Sequence, residues 1–307
     1  MTTLLLVSDD PAWPVALERH LPDADIRIYP DIGEPGAIDY ALVWAPEPGL
    51  LARLPNLKVI FSLAAGVDHI LRDPNLPRSI PIVRMSDPYQ CNMLAEYACL
   101  AVLYHHRFLD RTLALQARAE WEEQPVLYTP DITVGVLGLG AIGQAIAARL
   151  AGFGFGINGW SRTARQIAGI DCHHGPEQLS EMLPQCHYVI CALPQTPETT
   201  GLIDSAFLAR MPRGGYVINV GRGAHLVEKD LLAALEAGHI AGAFLDVFAQ
   251  EPLPEGHAFW HHPKIVVTPH MAGELLPRTA VRSIAQGIRD HRAGQPLAHV
   301  YDSARGY

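Results

Sequence analysis

Basic runs are missing from this chain. Of its 307 residues, 23 are Lys or Arg against 32 Asp or Glu, giving a formal net charge of −9. The average surface would repel a phosphate backbone, so nucleic acid is not an expected partner. No uncharged apolar stretch reaches about 18 residues, so no membrane span is expected. The opening "MTTLLLVSDDPAW" lacks a basic n-region and turns acidic at Asp9 and Asp10, which reads as a first strand and not a signal peptide. Cysteine is scarce, with an odd count of five and no C-x-x-C. Cys91, Cys99, Cys172, Cys186 and Cys191 therefore read as reduced thiols of a cytoplasmic protein. Cys186 and Cys191 flank "HYVI" and read as packing residues. Histidine is plentiful at 15, yet no H-E-x-x-H and no Cys/His array occurs, so no metal site is expected. The doublets at His105-His106, His173-His174 and His261-His262 read as surface or helix-end residues. Solenoid repeats and low-complexity linkers are also lacking.

What is present is ordinary for a globular enzyme: 49% hydrophobic and 18% charged residues, in a length that favours two domains. Apolar runs alternate with helical stretches through the first hundred residues. "TLLLVS", "DIRIYP", "YALVWAP", "LKVIFSL" and "IPIVRM" read as strands, "PAWPVALERHL" and "GLLARLP" as helices. That alternation predicts a parallel sheet with helices on both faces. A long helix is predicted from about Asn92 to Glu120, with the crossing into a second α/β series near Cys99. That series starts at Ile132 and includes "ITVGVLG", "GINGWSR", "HYVICALP", "GYVINVG", "IAGAFLDVF" and "KIVVTPH", with Gly238 at a helix C-terminal cap. A last helix is expected from about Leu276 to Arg292, returning to the first domain. The fold class expected is α/β with two Rossmann-like, doubly wound parallel-sheet domains. The expected bounds are 1–98 plus 281–307 for a flavodoxin-like substrate domain and 99–280 for a dinucleotide domain.

The second series opens on "GLGAIG", comprising Gly138, Gly140, Ala141, Ile142 and Gly143. A glycine triad after a strand and before a helix permits a tight turn and close backbone approach to a pyrophosphate at the helix N-terminus. An NAD site offers Asp or Glu about 20 residues further on, to bind the ribose hydroxyls. Here the segment is "FGINGWSRTAR", with no carboxylate before Asp171. Ser161 stands where the acid would be, followed by Arg162, with Arg165 nearby. Serine can hydrogen-bond a 2′-phosphate and guanidinium can pair with it, so NADPH is the expected cofactor and NADH a secondary one.

Three strand-like runs end on charged or titratable residues. Arg222 follows "GYVINVG", Glu251 follows "GAFLDVF", and His270 follows "KIVVTP". Reducing a 2-keto acid requires a held carboxylate, a polarised carbonyl and a proton delivered to oxygen as hydride reaches carbon. Arg222 suits the first two tasks. His270 suits the third, because its ordinary pKa lies near neutrality. Glu251 beside the imidazole would orient it and favour its protonated form.

With these residues in view, the chain resembles the D-isomer-specific 2-hydroxyacid dehydrogenase family. It is most similar to its NADPH-preferring glyoxylate/hydroxypyruvate reductases. The resemblance runs through "YALVWAP", "LAAGVDHI", "GWSRT", "LPQTPETTGLI", "LDVFAQEPLP", "TPH" and the terminal "ARGY". It implies catalytic roles for Arg222, Glu251 and His270, and a substrate carboxylate received by the backbone around Ala65 and Gly66. It implies an active site in a cleft between the domains. It extends the cofactor site to Leu193, Pro194, Thr199 and Val220, with Asp246 beside the nicotinamide. It also implies a homodimer, with "YHHRFLDRTLALQARAEW" as the place to look for its interface. Trp44, at a strand end, either walls the substrate pocket or is a half-buried packing aromatic. Asp68 is expected to brace its loop.

Two segments depart from the family pattern. "SDPYQCNMLAEYA" lacks the usual small-residue start, and "MAGELLPRTA" brings Met271 and Glu274 close to His270. Both bear on substrate identity more than on chemistry. The remaining alternatives are a nucleotide-sensing interaction protein on the same fold and a reductase of larger 2-keto acids.

Overall fold

The apolar runs pair into two parallel sheets in a computed structural model that describes residues 2–303 and Gly306. Ala304, Arg305 and Tyr307 of the terminal "ARGY" lie outside the described residues. The strands are β1 (Thr2–Val7), β2 (Ala24–Ile28), β3 (Tyr40–Val43), β4 (Val59–Ser62), β5 (Ile82–Val83), β6 (Thr133–Leu137), β7 (Gly156–Ser161), β8 (Asp171–His174), β9 (Tyr188–Cys191), β10 (Gly215–Asn219), β11 (Ile240–Leu245) and β12 (Ile265–Val267). The helices are α1 (Ala12–His20), α2 (Asp68–Leu71), α3 (Pro88–His106), α4 (Leu109–Ala117), α5 (Ala141–Gly152), α6 (Gly175–Met182), α7 (Ser205–Arg210), α8 (Glu228–Glu236) and α9 (Pro277–Arg292). No helix among the described residues is long and apolar enough to cross a membrane.

The smaller unit comprises Met1–Gln90 and Leu275–Tyr307. Its sheet order is β2-β1-β3-β4-β5, the doubly wound order of flavodoxin-like folds. Leu4, Leu5 and Leu6 are all fully buried, because a parallel sheet is covered on both faces. Successive side chains point to opposite faces. Leu4 and Leu6 join Trp13 and Leu17 of α1, while Leu5 joins Leu50, Leu51 and Ile60 on the other side. Ala280, Val281, Ile284, Ala285 and Ile288 of α9 complete the first of these clusters. Their helical spacing makes one apolar stripe.

The larger unit, Cys91–Glu274, has the order β12-β11-β10-β9-β6-β7-β8. Counted from its own first strand, that is the dinucleotide-fold order, with its topological switch between β6 and β9. Cys186 and Cys191 are fully buried in its core. Gly238 has φ +64° just beyond α8, as a helix C-terminal glycine should.

The structure departs from the sequence reading in several places. The units divide at Gln90/Cys91 and Glu274/Leu275, earlier in both cases than 98/99 and 280/281. Leu94, Ala95, Ala98 and Cys99 of α3 already pack with Val134 and Val136 of β6, and the first turns of α9 already pack with β1. The single helix expected over 92–120 is broken into α3 and α4 at Phe108, whose φ of +53° is left-handed. "GLLARLP" forms only a short 3-10 turn, Leu51–Arg53. His105 and His106 sit at a helix end but are buried, not at the surface. His105 stacks on Tyr216 with ring centroids 4.1 Å apart, and His106 meets Phe155 edge-on.

Candidate active site

Parallel strands deliver their C-terminal loops to one edge of the sheet. The adjacent strands β10, β11 and β12 thus carry Arg222, Glu251 and His270. Arg222 is held through its backbone. Its carbonyl accepts from Asn219 Nδ2 at 2.9 Å, and its amide donates to His225 Nδ1 at 3.1 Å. Its Nη1 donates to the Gly221 carbonyl at 2.8 Å. The neighbouring Gly223 lies so close to the next loop that a Cβ there would stand 1.8 Å from the Phe248 carbonyl carbon. Glycine is required at this position for the Arg222 and Glu251 loops to touch.

Glu251 uses both oxygens. Oε1 accepts the Phe248 amide at 2.9 Å, and Oε2 lies 2.7 Å from His270 Nδ1. Burial works against ionisation of Glu251, but its bonds from His270 and the Phe248 amide prevail and hold its pKa below the ordinary 4.5. The hydrogen bond to Glu251 raises the pKa of His270 above the ordinary 6.5, despite burial and the opposing charge of Arg222. His270 is also fixed from below. It has φ +53°, and its amide donates to the Asp246 carbonyl at 2.9 Å. The Asp246 carboxylate is buried and accepts the Thr268 hydroxyl and the Met271 amide at Oδ1 and the Ala272 amide at Oδ2. The Tyr97 hydroxyl of α3 bonds Thr268 in turn. Asp246 thus braces the His270 loop from inside.

The glycine turn fits a dinucleotide pyrophosphate. Gly138 has φ +100°, and a Cβ on it would meet the Ala192 carbonyl at 2.7 Å, across the switch between β6 and β9. A Cβ on Gly143 would stand 1.7 Å from the Gly138 carbonyl oxygen, so α5 packs directly on the turn. Gly140, by contrast, faces open space, and no side chain caps α5. Ala141 is exposed and Ile142 half-buried at that helix start. The amides at this uncapped N-terminus suit an anion. Ser161 ends β7, and its hydroxyl donates to the Thr163 carbonyl at 2.8 Å. Arg162 and Arg165 are exposed on the loop beyond. Arg165 lines an open groove of about 840 Å³ with Gln166, His174 and Gln178. The other wall of the switch holds Leu193 and Pro194, whose carbonyl accepts the Thr199 hydroxyl at 2.8 Å. Val220 is buried at the end of β10.

In the smaller unit, Ala65 and Gly66 form the loop between β4 and α2. The Ser62 hydroxyl laces this loop, donating to the Gly66 carbonyl at 3.0 Å and accepting the Ala64 amide at 3.1 Å. Trp44 is 49% exposed and lies against His69, ring centroids 4.7 Å apart. Asp68 pairs with Arg72 on α2 at 3.5 Å. Sequence reasoning passed over Ser62, Tyr97, His225 and Thr268. Only His225 carried a local signal, three residues after the arginine whose amide it accepts.

Residues 99–272 match the model of the D-isomer specific 2-hydroxyacid dehydrogenase NAD binding domain. The chain belongs to the D-isomer specific 2-hydroxyacid dehydrogenase family. It is therefore an oxidoreductase that works with a nicotinamide dinucleotide. Over 300 residues it is 41% identical to glyoxylate/hydroxypyruvate reductase A of Serratia proteamaculans, covering 96% of each chain. It is also similar to a D-isomer specific 2-hydroxyacid dehydrogenase from Xanthobacter autotrophicus Py2 solved with NADPH and MES. The TM-score is 0.96 at 42% identity, over 100% of this chain and 99% of that one. An NADPH-dependent glyoxylate/hydroxypyruvate reductase from Sinorhizobium meliloti, solved with NADP and sulfate, gives a TM-score of 0.95 at 35% identity over 100% of both chains.

Proposed function

We propose that this dehydrogenase reduces small 2-keto acids, glyoxylate and hydroxypyruvate foremost, to 2-hydroxy acids at the expense of NADPH. The observation that carries the reading is the 2.7 Å Glu251–His270 pair, with the pKa of the imidazole raised and the charge of Arg222 acting on both partners. The nicotinamide supplies the hydride. Arg222 presents its planar fork to the substrate carboxylate and the adjacent carbonyl oxygen. In this reading the amides of Ala65 and Gly66, on the loop after β4, receive a substrate carboxylate. His270 delivers the proton to the carbonyl oxygen from Nε2, while Glu251 holds Nδ1 and keeps the ring charged to higher pH.

NADPH is the preferred donor in this reading. Ser161 replaces the expected carboxylate, Arg162 and Arg165 follow on an exposed loop, and two similar enzymes were solved with NADPH or NADP. The free thiols fit a reducing cytoplasm. The working form is a homodimer, with α4 and the segment after it meeting a second copy. That stretch leaves Leu113, Trp121, Val126 and Tyr128 exposed.

The test is the rate of NADPH oxidation with glyoxylate, hydroxypyruvate and pyruvate, repeated with NADH. Turnover of the two named acids with NADPH preferred is the expected result. An Arg162→Ala variant should then lose affinity for NADPH and little for NADH. NADH preference would overturn the cofactor assignment and spare the chemistry. No turnover with any small keto acid, despite NADPH binding, would remove the substrate reading.

A further inference from the structure

We infer that His225 is a positioning residue that ties the substrate arginine to the wall of the cofactor crevice. The inference rests on the role for Arg222 proposed above. His225 closes the short 3-10 turn Gly223–His225 and is completely buried. Its Nδ1 accepts the Arg222 amide at 3.1 Å, and its Nε2 lies 3.2 Å from the Pro194 carbonyl oxygen. A backbone amide can only donate and a carbonyl can only accept, so both partners demand the tautomer protonated on Nε2. The Cys191 thiol, 3.4 Å from Nδ1, closes the ring off at the end of β9.

One rigid ring therefore spans two loops with different duties. The loop after β10 aims Arg222, whereas Pro194 belongs to the loop after β9 that borders the dinucleotide switch. Space between the two is tight. A Cβ on Gly221 would meet the Leu193 carbonyl at 3.0 Å and the His225 ring at 3.1 Å. The Thr199 hydroxyl donates to the same Pro194 carbonyl, so this junction is anchored from the far side as well. A displacement of the Leu193–Pro194 loop is thus transmitted through the imidazole to the Arg222 backbone.

Two substitutions separate the two arms of the ring. His225→Asn keeps an acceptor near the place of Nδ1 and loses the bond to Pro194. His225→Gln keeps a donor near the place of Nε2 and loses the acceptor for Arg222. The expected result is a crossed pattern. His225→Gln should raise the keto-acid KM roughly tenfold or more, with the NADPH Kd, read by nicotinamide fluorescence without substrate, changed by less than about twofold. His225→Asn should weaken NADPH binding several-fold and raise the keto-acid KM far less. Equal losses in both constants from both variants, or no change in either, would overturn the inference, because a ring that merely packs cannot sort them.

Arg222→Gln serves as the control. If it leaves the keto-acid KM unchanged, the role of Arg222 itself fails. If it raises KM while His225→Gln does not, only the positioning role fails. Should a variant not fold, ¹⁵N spectra of the histidine rings in the unaltered protein still decide. A His225 ring protonated on Nδ1 would be incompatible with the bond from Arg222 and would overturn the proposal.

Discussion

His270 carries two constraints in one residue. Its backbone is left-handed at φ +53°, where a side chain other than glycine is uncommon. Its ring is held by Glu251 at 2.7 Å. With its pKa raised in the fold, His270 adds stability that is fully present below its ordinary pKa of 6.5 and fades as pH rises through the raised value. Glu251, held below 4.5, adds stability that is present above that value and is lost as pH falls through the lowered one. The pair is most favourable in the window between. Glu251→Gln removes the charge that favours the imidazolium. The basic limb of the reduction pH profile should therefore move to lower pH, and a profile that stays in place would leave Glu251 a packing role only. His270→Ala should lower kcat by at least about 10²-fold through loss of the general acid. NADPH binding, measured separately, should be unaffected, and turnover close to that of the unaltered enzyme would refute the proton-donor assignment.

At the scale of elements, the loops after β10 and β11 meet backbone to backbone at Gly223 and Phe248. Gly223→Ala should drive them apart. An ångström of misplacement costs on the order of 10²-fold in rate. The predicted outcome is a loss of that size in kcat/KM with the circular dichroism spectrum retained, and full activity would mean that the loops do not need this approach. The central strands were legible in the sequence because burial on both faces leaves unbroken apolar runs such as "YALV" and "YVIC". Strand β8, "DCHH", was not, since it forms the sheet edge and has exposed ends. The break at Phe108 has no proline or glycine to announce it. The placement of Arg222, Glu251 and His270 in the loops after β10, β11 and β12 was legible, because each of those loops opens on an apolar strand run. Tyr97 was hidden because its partner, Thr268, is 171 residues away, and no local pattern records such a contact.

For the whole molecule, an exposed apolar stretch from α4 through Tyr128 predicts self-association. Trp121 is 96% and Val126 93% exposed, and patches of this kind mark interaction sites. Sedimentation should give two chains of 33.5 kDa. Replacing Trp121 and Val126 with Asp should yield single chains, and an unaltered protein that sediments as one chain would refute the dimer. The smaller unit has a different dependence, set by the order in which the ribosome makes the chain. Its core lacks one wall until Ala280, Val281, Ile284 and Ile288 of α9 have been made, long after β1–β5. At about 5–20 residues per second, the intervening segment takes roughly ten seconds or more to synthesise. The larger unit is contiguous and can fold in that interval, while Leu4, Leu6 and Leu17 wait uncovered. The nascent N-terminal segment is thus left with an uncovered apolar face until the last helix has been made.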